Sequence, residues 1–238
     1  MQLVILAAGR GSRLPKKFRE GPKCMVKING KSLLDNNIKF YKKFTSKTIV
    51  TGYKNKKLNQ FIKKNNFKKI INKKFKTTNM VYSLFQAKRI VSSDVVICYG
   101  DIIFDKNIFS NIKKDTNIIP LYREWLKLWK KRMNINKIKN DAENVKVKNK
   151  QLVEIGTKIT NFPKYQFMGI YKISKINFFK LKKFFKKNCS DNIDMTTFLN
   201  LAIKKNIVSL KVSFTKKYWF EIDNETDIKI TRKYLKRW

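Results

Sequence analysis

The sequence predicts an α/β fold: one domain over residues 1–238, with a mixed, mostly parallel central sheet and a small lid-like insertion near residues 120–165. Two observations carry that expectation. Apolar runs short enough for buried strands alternate with helix-period segments through the first hundred residues, which is the sequence form of a sheet with crossover helices. At 42% hydrophobic and 13% aromatic, the chain can also bury a sizeable core.

The elements follow in order. Residues 2–7 are an apolar run ending in small side chains, hence a buried strand, and Gly9 to Arg13 form the loop after it. Gly21-Pro22 marks a second turn. Leu33, Leu34, Ile38, Tyr41 and Phe44 recur near a 3.6-residue period, so residues 32–44 read as one helix. A β-branched strand over 47–51 stops at Gly52, residues 58–65 read as helix, and 69–72 as a short strand. Tyr82, Phe85, Ala87 and Ile90 share one side of a helix over 79–91, and a strand over 95–99 stops at Gly100-Asp101. Residues 145–147 and 151–155 alternate around Asn149-Lys150 as a hairpin. Residues 167–173 and 208–214 read as strands, 176–187 and 195–205 as helices. The 176–187 helix is basic and amphipathic, and a phenylalanine face on the core with solvated lysines explains it better than a membrane surface.

Composition narrows the chemistry. There is no histidine, which removes every triad, dyad and zinc site that needs imidazole. Any catalysis must run on carboxylates, cations, a metal with oxygen ligands, or positioning. Cys24, Cys98 and Cys189 are too scattered for a disulfide framework or a CxxC site, which suits reducing cytosol. No apolar run approaches a membrane span, and the N-terminus turns to glycines too soon for a signal peptide. The expectation is a cytoplasmic protein with no membrane partner. A formal charge of +40 points first to nucleic acid, but 48 of the 56 cations are lysines spread along the whole chain. No specific nucleic-acid partner is expected from that pattern. The field of the protein still attracts small anions.

Three groups of residues carry chemistry. In Leu6-Ala7-Ala8-Gly9-Arg10-Gly11-Ser12-Arg13-Leu14, small residues after a strand let backbone N–H groups approach phosphate oxygens, and Arg13 and Lys23 can neutralise a polyphosphate. The string is neither a P-loop nor a dinucleotide fingerprint. Four of the 16 acids, Glu221, Asp223, Glu225 and Asp227, crowd into seven residues of an acid-poor chain. Strand alternation puts Glu221 and Asp223 on one face as ligands for a hard cation, while the rest of the cluster suits a helix start. Asp101 follows a strand at Gly100, at the carboxyl end where open α/β sheets bind ligands.

LAAGxGxRL followed by Pro22-Lys23 resembles the signature of the nucleotidyltransferases that join a sugar phosphate or small alcohol phosphate to a nucleotide. Trp219-Phe220-Glu221-Ile222-Asp223 resembles that family's late W-x-E-I-D motif, and Gly100-Asp101 its G-D dipeptide. The resemblance implies a Rossmann-like nucleotidyltransferase fold, with Arg13 and Lys23 as the catalytic cations on the triphosphate. It implies Asp101 and Asp223 as ligands of Mg²⁺, with Glu221, on the same strand face as Asp223, orienting or joining the metal shell. The nucleotide would be held by Leu6, Ala7, Ala8, Gly9, Gly11, Ser12 and Gly100, with Asn79 and Ser83 from an N-x-x-x-S-L helix start; on its own that string is a capped helix. Asp141-Ala142-Glu143, the stretch from Glu154 to Lys158, and Gln166 to Tyr171 resemble a narrower branch, the cytidylyltransferases for phosphocholine or 2-aminoethylphosphonate. Trp129-x-x-Arg132 resembles its phosphonate-handling members, although Trp125 and Trp129 also suit a core. That branch implies CTP and a small phosphonate or phosphate acceptor, with Arg132, Asp141, Lys158 and Asp194 as acceptor-binding residues; Asp194 also suits a helix cap. A sugar-1-phosphate nucleotidyltransferase is the runner-up, a basic nucleic-acid-binding protein the reading from another class. A homodimer is left open.

Overall fold

The computed structural model describes residues 1–236. Its first part comprises β1 (Gln2–Ala7), β2 (Lys27–Ile28), β3 (Lys31–Ser32), α1 (Leu33–Asn36), α2 (Ile38–Tyr41), β4 (Ser46–Thr51), α3 (Asn59–Lys64), β5 (Lys68–Ile71), α4 (Met80–Gln86), β6 (Val95–Tyr99), β7 (Ile102–Phe104) and α5 (Ile108–Ile112). The rest comprises β8 (Ile118–Tyr122), α6 (Trp125–Arg132), α7 (Ile135–Asp141), β9 (Glu143–Lys148), β10 (Gln151–Lys158), β11 (Gln166–Phe167), β12 (Ile170–Ile173), α8 (Lys175–Asn188), α9 (Met195–Lys204), β13 (Lys211–Thr215), β14 (Trp219–Glu221) and α10 (Glu225–Leu235).

Ten strands form one sheet in the order β5-β4-β1-β6-β12-β8-β13-β10-β9, with β11 paired to β8. The β5-β4-β1-β6 part is all parallel, because helices and turns carry the chain back between strands. Past β6, among the described residues, parallel pairing survives only at β8–β13, and every other ladder is antiparallel. The fold is thus mixed, with its parallel character concentrated in the N-terminal half. β1, β6 and β8 are buried along their whole lengths, as central strands covered on both faces must be.

Four sequence expectations change in three dimensions. The single helix over 32–44 is two short ones, broken at Asn37. Asn37 is buried, and its amide donates to Ile102 O (2.7 Å) and accepts from Phe104 N–H (3.3 Å), so the break fastens these helices to β7. The strand over 167–173 splits into β11 and β12 at Gly169, where φ is +71° and a Cβ would lie 2.7 Å from the Tyr99 ring. The helix over 79–91 ends at Gln86 and continues as a 3₁₀ turn over Ala87–Arg89. The fourth concerns the proposed lid: residues 118–122 are the central strand β8, and the β9–β10 hairpin prolongs the sheet through β13. Pro120 lies inside this central strand, where a residue without an N–H cannot donate to a ladder. It is accommodated where the neighbour of β8 changes from β12, paired at Ile118, to β11, paired at Leu121 and Tyr122.

Outside the large sheet, β7 and β14 form a two-stranded antiparallel ribbon in the register Glu221↔Ile102. This ribbon lies beside a small separate core of Leu14, Val26, Ile28, Leu33, Ile103, Phe220, Ile222 and Ile228. Two segments more than a hundred residues apart are thereby locked together at the carboxyl ends of β1 and β6.

Candidate active site

The glycine loop leaves β1 at Ala7 and turns sharply at Gly11. There φ is +68°, and a Cβ would press on Leu14 Cδ1 (3.1 Å) and Lys23 Cβ (3.2 Å). Only glycine supports that conformation cheaply with the lysine so close. Leu6 and Ala7 are core residues, whereas Gly9 and Ser12 are exposed and Ala8 and Gly11 half-buried, so the accessible part of the loop begins at Ala8. Gly100 serves packing. Its N–H donates to Leu6 O (2.9 Å), and a Cβ would meet Ala7, Leu6 and Cys24 at 3.1–3.2 Å.

The ribbon explains the acidic cluster. Ladder pairing sets Glu221 opposite Ile102, and Ile222 N–H donates to Asp101 O (3.1 Å), so the chain at 101 and at 221–223 runs side by side. One carboxylate oxygen each from Asp101, Glu221 and Asp223 lie within 4.8 Å of one another. Lys23 Nζ donates to Asp101 Oδ2 (2.6 Å) and to Asp223 Oδ1 (2.5 Å), and Arg13 Nη2 donates to the same Asp223 oxygen (2.8 Å). Lys23 is mostly buried, but the Arg13 side chain is 63% exposed, so only the arginine is free to swing.

Charge state follows from these contacts. Burial, reinforced by Asp223 and Asp101, pushes the Glu221 carboxyl up to about 8. Burial would also raise Asp223, but Lys23, Arg13 and Arg132 together hold it below the ordinary carboxylate value. Burial works against the Lys23 ammonium, yet Asp101, Asp223 and Glu221 outweigh it and keep it firmly protonated. The three carboxylates repel one another, and the lysine bridging two of them shows how strongly the cluster demands a cation. Clustered hard oxygen donors of this kind suit magnesium or calcium rather than a softer metal, so the residues fit the ion the sequence implied.

Beside the cluster lies a cavity of about 240 Å³, walled by Tyr99, Trp129, Phe167 and Trp219 as well as Glu221 and Asp223. A second group of acids also lines it: Asp141 at the end of α7, Glu143 at the start of β9, and Asp194 capping α9. Thr196 Oγ1 lies 2.8 Å from Glu143 Oε1 and 2.9 Å from Asp194 Oδ1. A hydroxyl has one proton and cannot donate to both. Burial raises the Glu143 carboxyl above its usual value, opposed by Thr196 and reinforced by Asp194 and Asp141. Burial acts the same way on Asp194, but the Thr197 N–H and hydroxyl lead the contacts that outweigh it and hold Asp194 low. Among the described residues no lysine or arginine forms an ion pair with Asp141, Glu143 or Asp194.

Several expected site residues lie elsewhere. The Arg132 side chain is 3% exposed and grips Asp227 through Nε (2.7 Å) and Nη2 (3.0 Å), so it is no acceptor clamp. Lys158 is exposed at the end of β10 and does not line the cavity, although its Cα is the ladder partner of Glu143. Ser83 is buried and accepts from Asn72 Nδ2 (3.0 Å), which makes it a packing residue rather than a nucleotide contact. Asn79 caps α4 by accepting from Met80 N–H (2.7 Å), and its backbone N–H donates to Asp191 O. Glu143 and Thr196 were missed as site residues. Glu143 had a signal, since Asp141 and Glu143 stand two apart in an acid-poor chain, but Thr196 had none.

The glycine loop, its lysine and the three-carboxylate cluster are brought together beside the β7–β14 ribbon, and the sequence relatives place the chain in the nucleotidyltransferase family. A MobA-like NTP transferase domain matches residues 3–115. Over 97% of its length the chain is 30% identical to a CTP:phosphoglutamine cytidylyltransferase of Campylobacter jejuni, covering 98% of that relative. It is also 31% identical to a choline-phosphate cytidylyltransferase of Streptococcus pneumoniae, over 52% of this chain and 55% of the relative. Among solved structures, the inositol-1-phosphate CTP transferase of T. maritima superposes with a TM-score of 0.80 at 19% identity, over 99% of this chain and 95% of that one. The structure of the S. pneumoniae CTP:phosphocholine cytidylyltransferase gives 0.77 at 18% identity, over 98% of each chain. These two likenesses speak for the fold. The family membership rests on the sequence relatives, and with it the chain's standing as an enzyme that transfers nucleotidyl groups.

Proposed function

We propose that this chain transfers CMP from CTP to a small phosphate or phosphonate monoester whose far end is cationic, of the 2-aminoethylphosphonate or phosphocholine kind, releasing pyrophosphate. The cytidine preference rests on the relatives named above. The acceptor class rests on one observation: three acids with no ion pair among the described residues line a partly aromatic cavity in a chain with 56 cations and 16 acids. With salt bridges so easy to form, leaving these carboxylates without one reserves them for a cation on the ligand. Aromatic faces nearby favour the same kind of group.

The chemistry needs little else. An acceptor oxygen attacks the α-phosphorus as the bond to pyrophosphate breaks. That oxygen is already anionic at neutral pH, so no general base is called for, in keeping with the absence of histidine. Magnesium held by Asp101, Glu221 and Asp223 would supply charge neutralisation at the phosphates. Arg13, exposed and tethered by one contact, turns from Asp223 to the triphosphate. Lys23 holds a fixed positive charge beneath the loop, and the backbone N–H groups of the largely exposed segment from Gly9 to Ser12 complete the anion cradle. Alignment and charge do the rest.

The test is a pyrophosphate-release screen. Each nucleoside triphosphate is paired with 2-aminoethylphosphonate, phosphocholine, phosphoglutamine and hexose 1-phosphates, with and without Mg²⁺. Turnover of CTP with the amine-bearing acceptors, lost on chelation, is the expected result. Preference for a hexose 1-phosphate would install the sugar-phosphate reading instead. No turnover with any pair, together with salt-sensitive duplex binding, would make the protein a nucleic-acid binder.

A further inference from the structure

Arg132 and Asp227 form a buried pair just behind the metal-binding cluster, with side chains 3% and 1% exposed. The two Asp227 oxygens share the work. Oδ1 accepts from Arg132 Nε (2.7 Å). Oδ2 accepts from Arg132 Nη2 (3.0 Å), from Asp223 N–H (2.8 Å) and from Asn224 N–H (3.1 Å). The same aspartate is the third residue of α10, and its own N–H donates back to Asn224 Oδ1 (3.1 Å). Asp227 therefore does more than cap a helix. It fixes the backbone from which the Asp223 carboxylate projects.

Arg132 fixes Asp227 in turn. It is the last residue of α6, its guanidinium lies 5.3 Å from the Trp129 ring centroid, and Trp129 is part of the cavity wall. Its Nη1 is buried without a partner, so the arginine is held at a cost that ordinary helix capping does not require. Its charge also acts on the cluster, favouring the ionised forms of both Glu221 and Asp223. Arg13 and Lys23 supply positive charge too, but both touch the carboxylates directly and are the groups a triphosphate recruits. Arg132 stays where it is.

We infer that the Arg132–Asp227 pair is a positioning device: through the Asp223 and Asn224 N–H groups it sets the orientation of the Asp223 carboxylate and ties it to the cavity wall at Trp129. This rests on the proposed role of Asp223 as a metal ligand, and it reassigns Arg132 from acceptor recognition to orientation of the cluster. Such outer partners of metal ligands typically influence metal affinity or activity by about 10–100-fold.

The experiment compares Arg132→Lys, which keeps charge and loses the planar fork, with Asp227→Asn, which keeps one accepting oxygen. A double variant, Arg132→Gln with Asp227→Asn, removes both charges and leaves no uncompensated buried ion, so it covers the case in which a single variant fails to fold. Folding is followed by circular dichroism, and Mn²⁺ binding to the protein alone by titration calorimetry. Pyrophosphate release gives kcat and the acceptor KM. Folded variants should bind Mn²⁺ about 10–100-fold more weakly and lose kcat to a similar degree, with the acceptor KM within about threefold of wild type. Wild-type Mn²⁺ affinity and kcat in a folded variant would reduce the pair to a stability element. A selective rise in acceptor KM at unchanged kcat would return Arg132 to the acceptor. If wild type itself showed no turnover, the enzymatic reading would fall, while Mn²⁺ binding alone would still decide the pair's role.

Discussion

The two acidic groups of the cavity are built from the same residue types and behave in opposite ways. At the ribbon, Asp101 and Asp223 are bridged by Lys23, Asp223 also takes Arg13, and Arg132 stands behind. On the far wall, Asp141, Glu143 and Asp194 have a threonine hydroxyl and the Thr197 N–H but, among the described residues, no cation. The first group carries its counter-charges within the protein. The second has no such counter-charge among the described residues, and under the proposed function that difference separates a site for a metal and a triphosphate from a site for a positively charged substrate.

The comparison is broken most severely at the ribbon. Asp223→Asn and Lys23→Ala should each cut pyrophosphate release by roughly 10²–10³ with circular dichroism unchanged, because each removes charge aligned with the reacting phosphates. Wild-type rates would remove these residues from the chemistry.

The far wall should respond differently. Glu143→Gln and Asp194→Asn should raise the KM for an amine-bearing acceptor by about tenfold or more, the scale of a hydrogen bond to a charged group, while the KM for CTP stays put. Asparagine caps helices as well as aspartate, so α9 should survive the second change. An equal loss with an uncharged acceptor would mean that the wall does not read charge.

Acidity sharpens the contrast further. Burial leads the forces that raise Glu143, so it takes up a proton at a pH above the ordinary glutamate value of about 4.3. As pH falls through that raised value the wall loses negative charge, and the acceptor KM should climb a few-fold, with Glu143→Gln abolishing that part of the profile. The stability sign is the reverse of a salt-bridged acid. The folded state binds this proton more tightly, so its contribution favours folding at low pH and is lost as pH rises through the raised value. Glu143→Gln should therefore raise the melting temperature at pH 7 more than at pH 4.

The smallest effect belongs to Lys158→Ala. With its side chain exposed and outside the cavity, KM and kcat should both stay within about twofold.

The sequence alone determined what depends on local pattern and inventory. Absence of histidine limited the chemistry, the string from Leu6 to Leu14 carried the family resemblance, and period-2 and period-3.6 runs located β1, β4, β6, α8 and α9. Crowding of acids at 221–227 marked a site because crowding is visible without coordinates. Tertiary structure decided which face each residue meets. It broke the 32–44 helix because Asn37 found β7, kept Pro120 in a central strand because the neighbouring strand changes there, and turned Arg132 inward to Asp227. Only the packing of α9 on the β9–β10 hairpin brings Thr196 and Asp194 to Glu143, about fifty residues away. The physical reason is general: spacing along a chain fixes periodicity and therefore which residues share a face, whereas the partner of that face is chosen by long-range burial, which no local window contains.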